Sequence, residues 1–279
     1  MAKCHAKTSG VAKRYPFFLD ESHEDLTRWV QSLLDQNPGL SRFIDLKPKS
    51  LRTTTCSYFH YNERGMLEFE QPGSDHKNGL FIDFLSGAAD YRRQRGGGRG
   101  QAITKACGLK GSRGWQPSVL DATAGLGGDA FVLAGEGCKL ELCERHSVPY
   151  LLLADALRRL TTDRSLEVQV AMNQLKFGEV LSALNGCWDI IYLDPMYEPR
   201  GKKHTAAASK GMQTLQSEVG QDEDADELIH HALAKARYRV VVKRAKSAPY
   251  LGGIAPTRSD KGKSTRFDLY CLKSPPNAG

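Results

Sequence analysis

Apolar positions in residues 23–35 fall at Leu26, Trp29, Val30, Leu33 and Leu34, the spacing of a helix with one buried face. Asn37-Pro38-Gly39 stops it. Further on the period shortens. The aromatic and alternating runs at 57–61 and 66–70 predict two strands around a turn at 62–65. Residues 1–20 are basic and show no period, which predicts a tail or an added edge element. Together these elements predict a small α+β domain over residues 1–78.

From residue 117 apolar strands and amphipathic helices alternate. Strands are predicted at 119–121, 139–143, 167–171 (ending near Asn173), 188–193, 238–243 and 266–272. Helices are predicted from the glycines at 125–128 to about 135, then with a buried face of Leu151, Leu152, Ala156 and Leu160, and again at 175–184 and 226–237. Residues 188–193 form a near-continuous apolar run, as a central parallel strand does. The pattern is that of an α/β fold with a mostly parallel, doubly wound sheet over 117–279. Between the two regions, residues 79–116 form a connecting segment that opens on a strand candidate at 80–85.

Composition adds little to this frame except through charge. Hydrophobic residues at 40% and charged residues at 25% are ordinary for a globular chain. No stretch approaches a membrane span, and the first residues lack a signal-peptide core, so a cytoplasmic protein without a membrane partner is expected. Seven cysteines without a C-x-x-C pair argue against a disulfide framework or a zinc site, and no metal is expected. The net charge of +7 favours a polyanionic partner. Residues 84–114 hold seven Lys or Arg against the single acid Asp90. Within them, Gly96-Gly97-Gly98 lies between Arg95 and Arg99, so backbone N–H groups and guanidinium groups alternate as phosphate oxygens require. The alternative for such a run is ordinary solvated surface.

The candidate chemistry gathers where the first strand of the sheet ends. Asp121 precedes a turn whose glycines, Gly125, Gly127 and Gly128, let a ligand approach the backbone, and an apolar helix follows. Gly125-x-Gly127-x-x-Ala130 satisfies a loose dinucleotide fingerprint, although a tight turn with no ligand has the same spacing. A carboxylate at Asp121 would repel a pyrophosphate and attract an ammonium. The second strand ends in Glu144, where a carboxylate can accept both hydroxyls of a ribose. A ligand carrying a ribose, an adenine and a cationic amino acid suits this pair better than NAD does. That ligand is S-adenosylmethionine.

The strand at 188–193 delivers Asp194-Pro195-Met196-Tyr197 to the same edge of the sheet. The exocyclic amine of a base is a poor nucleophile because its lone pair is delocalised into the ring. Asp194 and the carbonyl of Pro195 can accept its N–H bonds and direct that lone pair, and Tyr197 offers a ring on which a base can stack. A plain Asp-Pro turn is the alternative.

Residues 121–130, Glu144-Arg145 and 192–197 resemble the class I S-adenosylmethionine-dependent methyltransferases, which have a Rossmann-like fold. Asp83-Phe84, Gly96-Gly97-Gly98-Arg99-Gly100, Lys110-Gly111 and Val240-Val241-Val242-Lys243-Arg244 are similar, more specifically, to the RsmJ family, over about residues 79–272. That resemblance implies methylation of the exocyclic N2 of a guanine in small-subunit (16S) ribosomal RNA. It implies cofactor contacts from Gly128, Asp129, Glu144, Arg145, the end of the third strand and Asp194. The family often has Arg where this chain has Gly128, and paired serines where it has Asn173-Gln174, whose amides could bond the adenine edge. Arg92, Arg93, Arg95, Arg99 and Lys105 would hold the RNA backbone, with Lys202, Lys203, Lys243 and Arg244. The rival readings are an amino-methyltransferase acting on adenine or on a protein glutamine, a non-catalytic RNA-binding protein, and a nicotinamide dehydrogenase.

Overall fold

A computed structural model describes residues 13–20, 23–53, 55–72, 79–86, 98–110, 114–162, 174–178, 185–196, 218 and 224–276. The chain divides into two compact units, Met1–Gly79 and Leu80–Gly279.

In the first unit, β1 (Tyr15–Leu19), β2 (Ile44–Pro48), β3 (Tyr58–Tyr61) and β4 (Leu67–Glu70) form a sheet in the order β2-β1-β3-β4. Helix α1 (Glu24–Gln36) and the single turn α2 (Pro38–Ser41) lie in the chain between β1 and β2. The predicted helix and hairpin are there. The expectation of a tail or an added edge element over residues 1–20 is corrected at 15–19 by β1, which is an inner strand and pairs in parallel with strands on both sides. The apolar run Phe17-Phe18-Leu19 outweighs the basic residues around it, and Phe17 packs its ring against Phe59. Pro16 has no N–H to give a ladder, and β3 pairs only with Phe17 and Phe18.

The second unit is built on a seven-stranded sheet of order β10-β11-β9-β8-β5-β6-β7. Its strands are β5 (Ser118–Asp121), β6 (Lys139–Glu144), β7 (Gln174–Phe177), β8 (Trp188–Leu193), β9 (Ala236–Ala245), β10 (Arg258–Lys261) and β11 (Thr265–Cys271). The five strands from β7 to β9 run parallel, and β11 runs antiparallel to β9 and β10. The described helices are α3 (Ala102–Ala106), α4 (Gly128–Gly135), α5 (Ser147–Thr162) and α6 (Ala225–Lys235). Leu151, Leu152, Ala156 and Leu160 are buried on α5, as their spacing predicts. Ile229 and Ala232 of α6 join a core with Trp188, Ile191, Leu193, Val240 and Val242.

Two element predictions need correction. Residues 80–85 make only a single bridge, at Leu80. Asp83 turns the chain by accepting from Leu85 N and Ser86 Oγ, and Arg159 takes the carbonyl of Ile82. The alternation remains in burial, since Leu80, Ile82 and Phe84 are buried while Phe81 is exposed. Leu175 to Phe177, expected in a helix, are strand residues of β7, where Leu175 pairs with Leu142 of β6. The strand predicted at 167–171 lies outside the described residues.

The order of strands places the site. The chain winds from β5 out to β7, then returns to β8 on the other side of β5. The crevice at such a reversal, beyond the carboxyl ends of the two strands, is where folds of this kind bind ligands.

Candidate active site

The register sets Asp121 of β5 opposite Tyr192 of β8, so the β8 tip at Asp194 stands beside the glycine turn. That turn needs its glycines. Gly125 and Gly127 have φ of +53° and +72°, in the left-handed region that side chains disfavour. A Cβ on Gly127 would lie 2.6 Å from Leu153 Cδ1 and 3.1 Å from Phe84 Cζ. Gly128 has ordinary backbone angles and open space where its Cβ would be. An arginine would fit there; glycine leaves the first backbone N–H groups of α4 uncovered.

Glu144, at the tip of β6, ties that turn to its neighbour. Its Oε2 accepts from Gly125 N at 2.8 Å and its Oε1 from His146 N at 2.7 Å. A carboxylate at this strand tip is the acceptor that the hydroxyls of a ribose require. Asp121 is buried and accepts from Thr123 N at 3.2 Å. Burial pushes its carboxyl well above the usual range, the Thr123 bond opposes this, and the charges of Asp129, Asp194 and Glu144 add to it.

Asp194 is held from two sides. Its N–H donates to Thr123 Oγ1 at 2.6 Å, and its Oδ2 accepts from Lys243 Nζ at 2.8 Å. The same ammonium donates to Asp129 Oδ2 at 3.0 Å, which also accepts from the Tyr192 hydroxyl at 2.7 Å. The protein around Asp194 raises its carboxyl above the ordinary value and Lys243 works against that rise. Its side chain still keeps 39% of its surface open. For Lys243, burial favours the neutral form, but the two carboxylates and their hydrogen bonds outweigh it and raise its pKa. It stays a cation.

The site therefore brings together Asp121, Gly125, Gly127, Gly128, Asp129, Glu144 and Asp194, as the sequence predicts, with Pro195 following Asp194. Other expected residues fall elsewhere. Gln174 stands at the amino end of β7, opposite Glu141, while the carboxyl tip next to Glu144 is Phe177-Gly178. The expected register is thus displaced by about one strand length. Arg145 turns its Nη1 to both oxygens of Asp224, at 2.7 Å each. Lys243, expected on RNA phosphates, is the counter-ion of the pocket. Arg244, expected beside it, is buried and donates to the carbonyl of Pro249, because alternate residues of a strand face opposite ways. Lys105 is exposed in the last turn of α3. Arg92, Arg93, Arg95, Asn173, Tyr197, Lys202, Lys203 and the side chain of Arg99 lie outside the described residues. Thr123 and Tyr192 were not anticipated as site residues; a hydroxyl two places after Asp121 in a glycine turn is the one signal that points to the former.

A family model described as "Putative SAM-dependent methyltransferase" matches residues 46–272. The ribosomal RNA small subunit methyltransferase J of Chromobacterium violaceum is 42% identical over 265 residues, 93% of this chain and 95% of that one. The protein of the same name from Pasteurella multocida is 45% identical over 216 residues, 75% of this chain and 84% of that one. This chain belongs to the methyltransferase J family. A crystal structure of a SAM-dependent methyltransferase from Neisseria gonorrhoeae covers 92% of the chain and 95% of its own, with a TM-score of 0.66 and 33% identity. The Rossmann-like fold and the S-adenosylmethionine cofactor of the methyltransferase J family follow.

The pocket itself fits that cofactor. Asp121, Asp129, Glu144 and Asp194 gather around the turn, and Lys243 donates to two of them, Asp129 and Asp194. A ligand bearing both an ammonium and a sulfonium suits this acidic lining, whereas the pyrophosphate of NAD would be repelled by it. Glu144 would hold the ribose and the uncovered α4 N–H groups the carboxylate end.

Proposed function

We propose that this chain transfers a methyl group from S-adenosylmethionine to the exocyclic N2 amine of a guanine in 16S ribosomal RNA. The observation that carries the reading is the fixed Asp194. Thr123 of the glycine turn holds its backbone and Lys243 its carboxylate, so an acceptor for an amine stands next to the cofactor pocket. The names of the relatives support ribosomal RNA of the small subunit as substrate.

S-adenosylmethionine supplies a methyl already activated on a sulfonium, so the protein's work is proximity and orientation. Asp194 and the Pro195 carbonyl accept the two N–H bonds of the amine and turn its lone pair toward the cofactor. As the nitrogen gains the methyl it gives up one proton, which passes to the Asp194 carboxylate and on to water. Lys243 favours the ionised form of Asp194 and holds its orientation. A base must leave its stack to enter, which favours a loop or incompletely assembled RNA over continuous duplex. Tyr197 supplies the ring against which it lies, and Arg92, Arg93, Arg95, Arg99, Lys105, Lys202 and Lys203 hold its backbone. Arg145 stays a proposed cofactor residue whose guanidinium must share Asp224. Among the described residues no helix is long and apolar enough to cross a membrane, and we place the enzyme in the cytoplasm with its substrate.

The test is transfer of tritiated methyl to undermethylated ribosomal RNA and 30S particles, followed by nucleoside analysis. Label in N2-methylguanosine is expected. Label confined to another nucleoside, or none in either substrate, would end this reading.

A further inference from the structure

The turn after β9 is fixed in an unusual way. Arg266 and Arg244 are both buried, and between them they donate to the carbonyls of Ala245, Lys246, Ala248 and Pro249. Asp268 is fully buried and accepts Arg266 Nε at 2.9 Å, so its charge is matched. Two internal guanidinium groups therefore hold almost every carbonyl of a surface turn. The turn presents outward Lys246, Ser247, Pro249 and the ring of Tyr250, which is 42% exposed and lies 5.2 Å from the Arg266 guanidinium carbon.

The β10–β11 hairpin ends at the same place. Thr265 pairs with Ala245, Lys246 N donates to Ser264 O at 3.0 Å, and Gly262 N closes the hairpin on Thr265 O. Lys261 and Lys263, both exposed, therefore lie at the same end of the sheet as Lys246. Among the described residues, none of these three lysines has a carboxylate within 4.0 Å. The position matters. Lys246 comes three residues after Lys243, which touches Asp194, a distance of about 10 Å along an extended chain.

We propose that Lys246, Lys261 and Lys263, with Tyr250, form an RNA-docking lip beside the methyl-transfer pocket. It takes the phosphates flanking the target nucleotide on the lysines and an unstacked neighbouring base on the tyrosine. Charge complementarity selects a polyanion, and the exposed ring beside the lysines selects one with accessible bases. Because buried arginines already order the turn, little freedom is lost when RNA arrives. The inference rests on the proposed RNA substrate.

The full-length chain tests it. RNA affinity is measured against salt for the wild type, the triple variant K246A/K261A/K263A, Tyr250→Ala and Lys139→Ala, the last at the opposite edge of the sheet. Three lost phosphate contacts should make the slope of log affinity against log salt shallower by about 2 to 3. The Michaelis constant for RNA should rise about tenfold or more, with kcat within about twofold and S-adenosylmethionine affinity unchanged. Tyr250→Ala should weaken binding by about five- to a hundredfold while leaving the slope as it is. Lys139→Ala should change neither quantity. An unchanged slope in the triple variant overturns the lip, and so does an equal loss per lysine in Lys139→Ala, which would indicate net charge alone. Should the wild type bind RNA but methylate none, the functional reading fails while the slope still decides the lip.

Discussion

Between Asp129 and Asp194 sits one ammonium group, Lys243 Nζ, 3.0 Å from the first carboxylate and 2.8 Å from the second. The surroundings of Asp194 favour its neutral form, and Lys243 opposes them. The ionised carboxylate is the stronger acceptor of the amine's N–H bonds and the form that can take its proton, so kcat should fall on the acid side as Asp194 protonates. Its pKa is raised, so that acid limb should lie above the range of an ordinary aspartate. Replacing Lys243 by Met removes the opposing charge, which raises the Asp194 pKa further and moves the limb to higher pH. A pH profile of kcat checks this; a limb that stays in place or moves down would separate Lys243 from Asp194 in function. Asp194→Ala should lower methyl transfer by roughly a hundredfold or more, the usual range for losing an acid–base group. Calorimetry with S-adenosylmethionine should show a smaller loss, because Asp121 and Glu144 remain.

The glycine turn separates two effects in one element. At Gly127 a side chain meets Leu153 and Phe84 and must adopt φ of +72°, so Gly127→Ala should destabilise the chain by about 1–2 kcal/mol from the backbone alone. At Gly128 the backbone is helical and the space is open, so Gly128→Ala should raise stability by up to about 1 kcal/mol. The added methyl enters open space, so cofactor affinity should change little. Thermal melts with and without S-adenosylmethionine check both; a large loss of affinity in Gly128→Ala would show that the cofactor packs against that position. Elements of this kind were legible because their signals are local. The strand–glycine–helix run from Val119 to Ala134 and the apolar β8 read directly from periodicity. The strand β7 did not, since Gln174-Leu175-Lys176-Phe177 is too short to show a period and joins the sheet only through β6. The same limit applied to β1, whose place in its sheet depends on partners far along the chain. At the site, residue types were legible and pairings were not. Nothing in the order of residues tells that Lys243 faces inward and Arg244 toward Pro249; that depends on the register of β9 against β8.

At the scale of the molecule, every described residue of the proposed pocket belongs to the unit from Leu80 onward. The periodic α/β pattern begins only near residue 117, yet the segment before it is packed into that unit. Phe84 stacks on Phe131 of α4 at 4.6 Å between ring centroids and stands beside Gly127, and Arg159 of α5 donates to the Ile82 carbonyl. Ile103, Thr104 and Ala106 of α3 are buried, and the Ala106 carbonyl accepts from Arg239 of β9 at 2.9 Å. Removing Phe84 from its place is comparable to a large core truncation, about 3–5 kcal/mol, and it would loosen the glycine turn itself. A protein of residues 80–279 should therefore fold and bind S-adenosylmethionine with nearly the affinity of the full chain. One of residues 117–279 should lose both cooperative unfolding and binding, although it contains Asp121, Glu144, Asp194 and Lys243. Calorimetry and thermal melts on the two truncations decide this. Equal cofactor binding by both would show that residues 80–116 serve the substrate alone and that Phe84 is not needed to shape the cofactor turn.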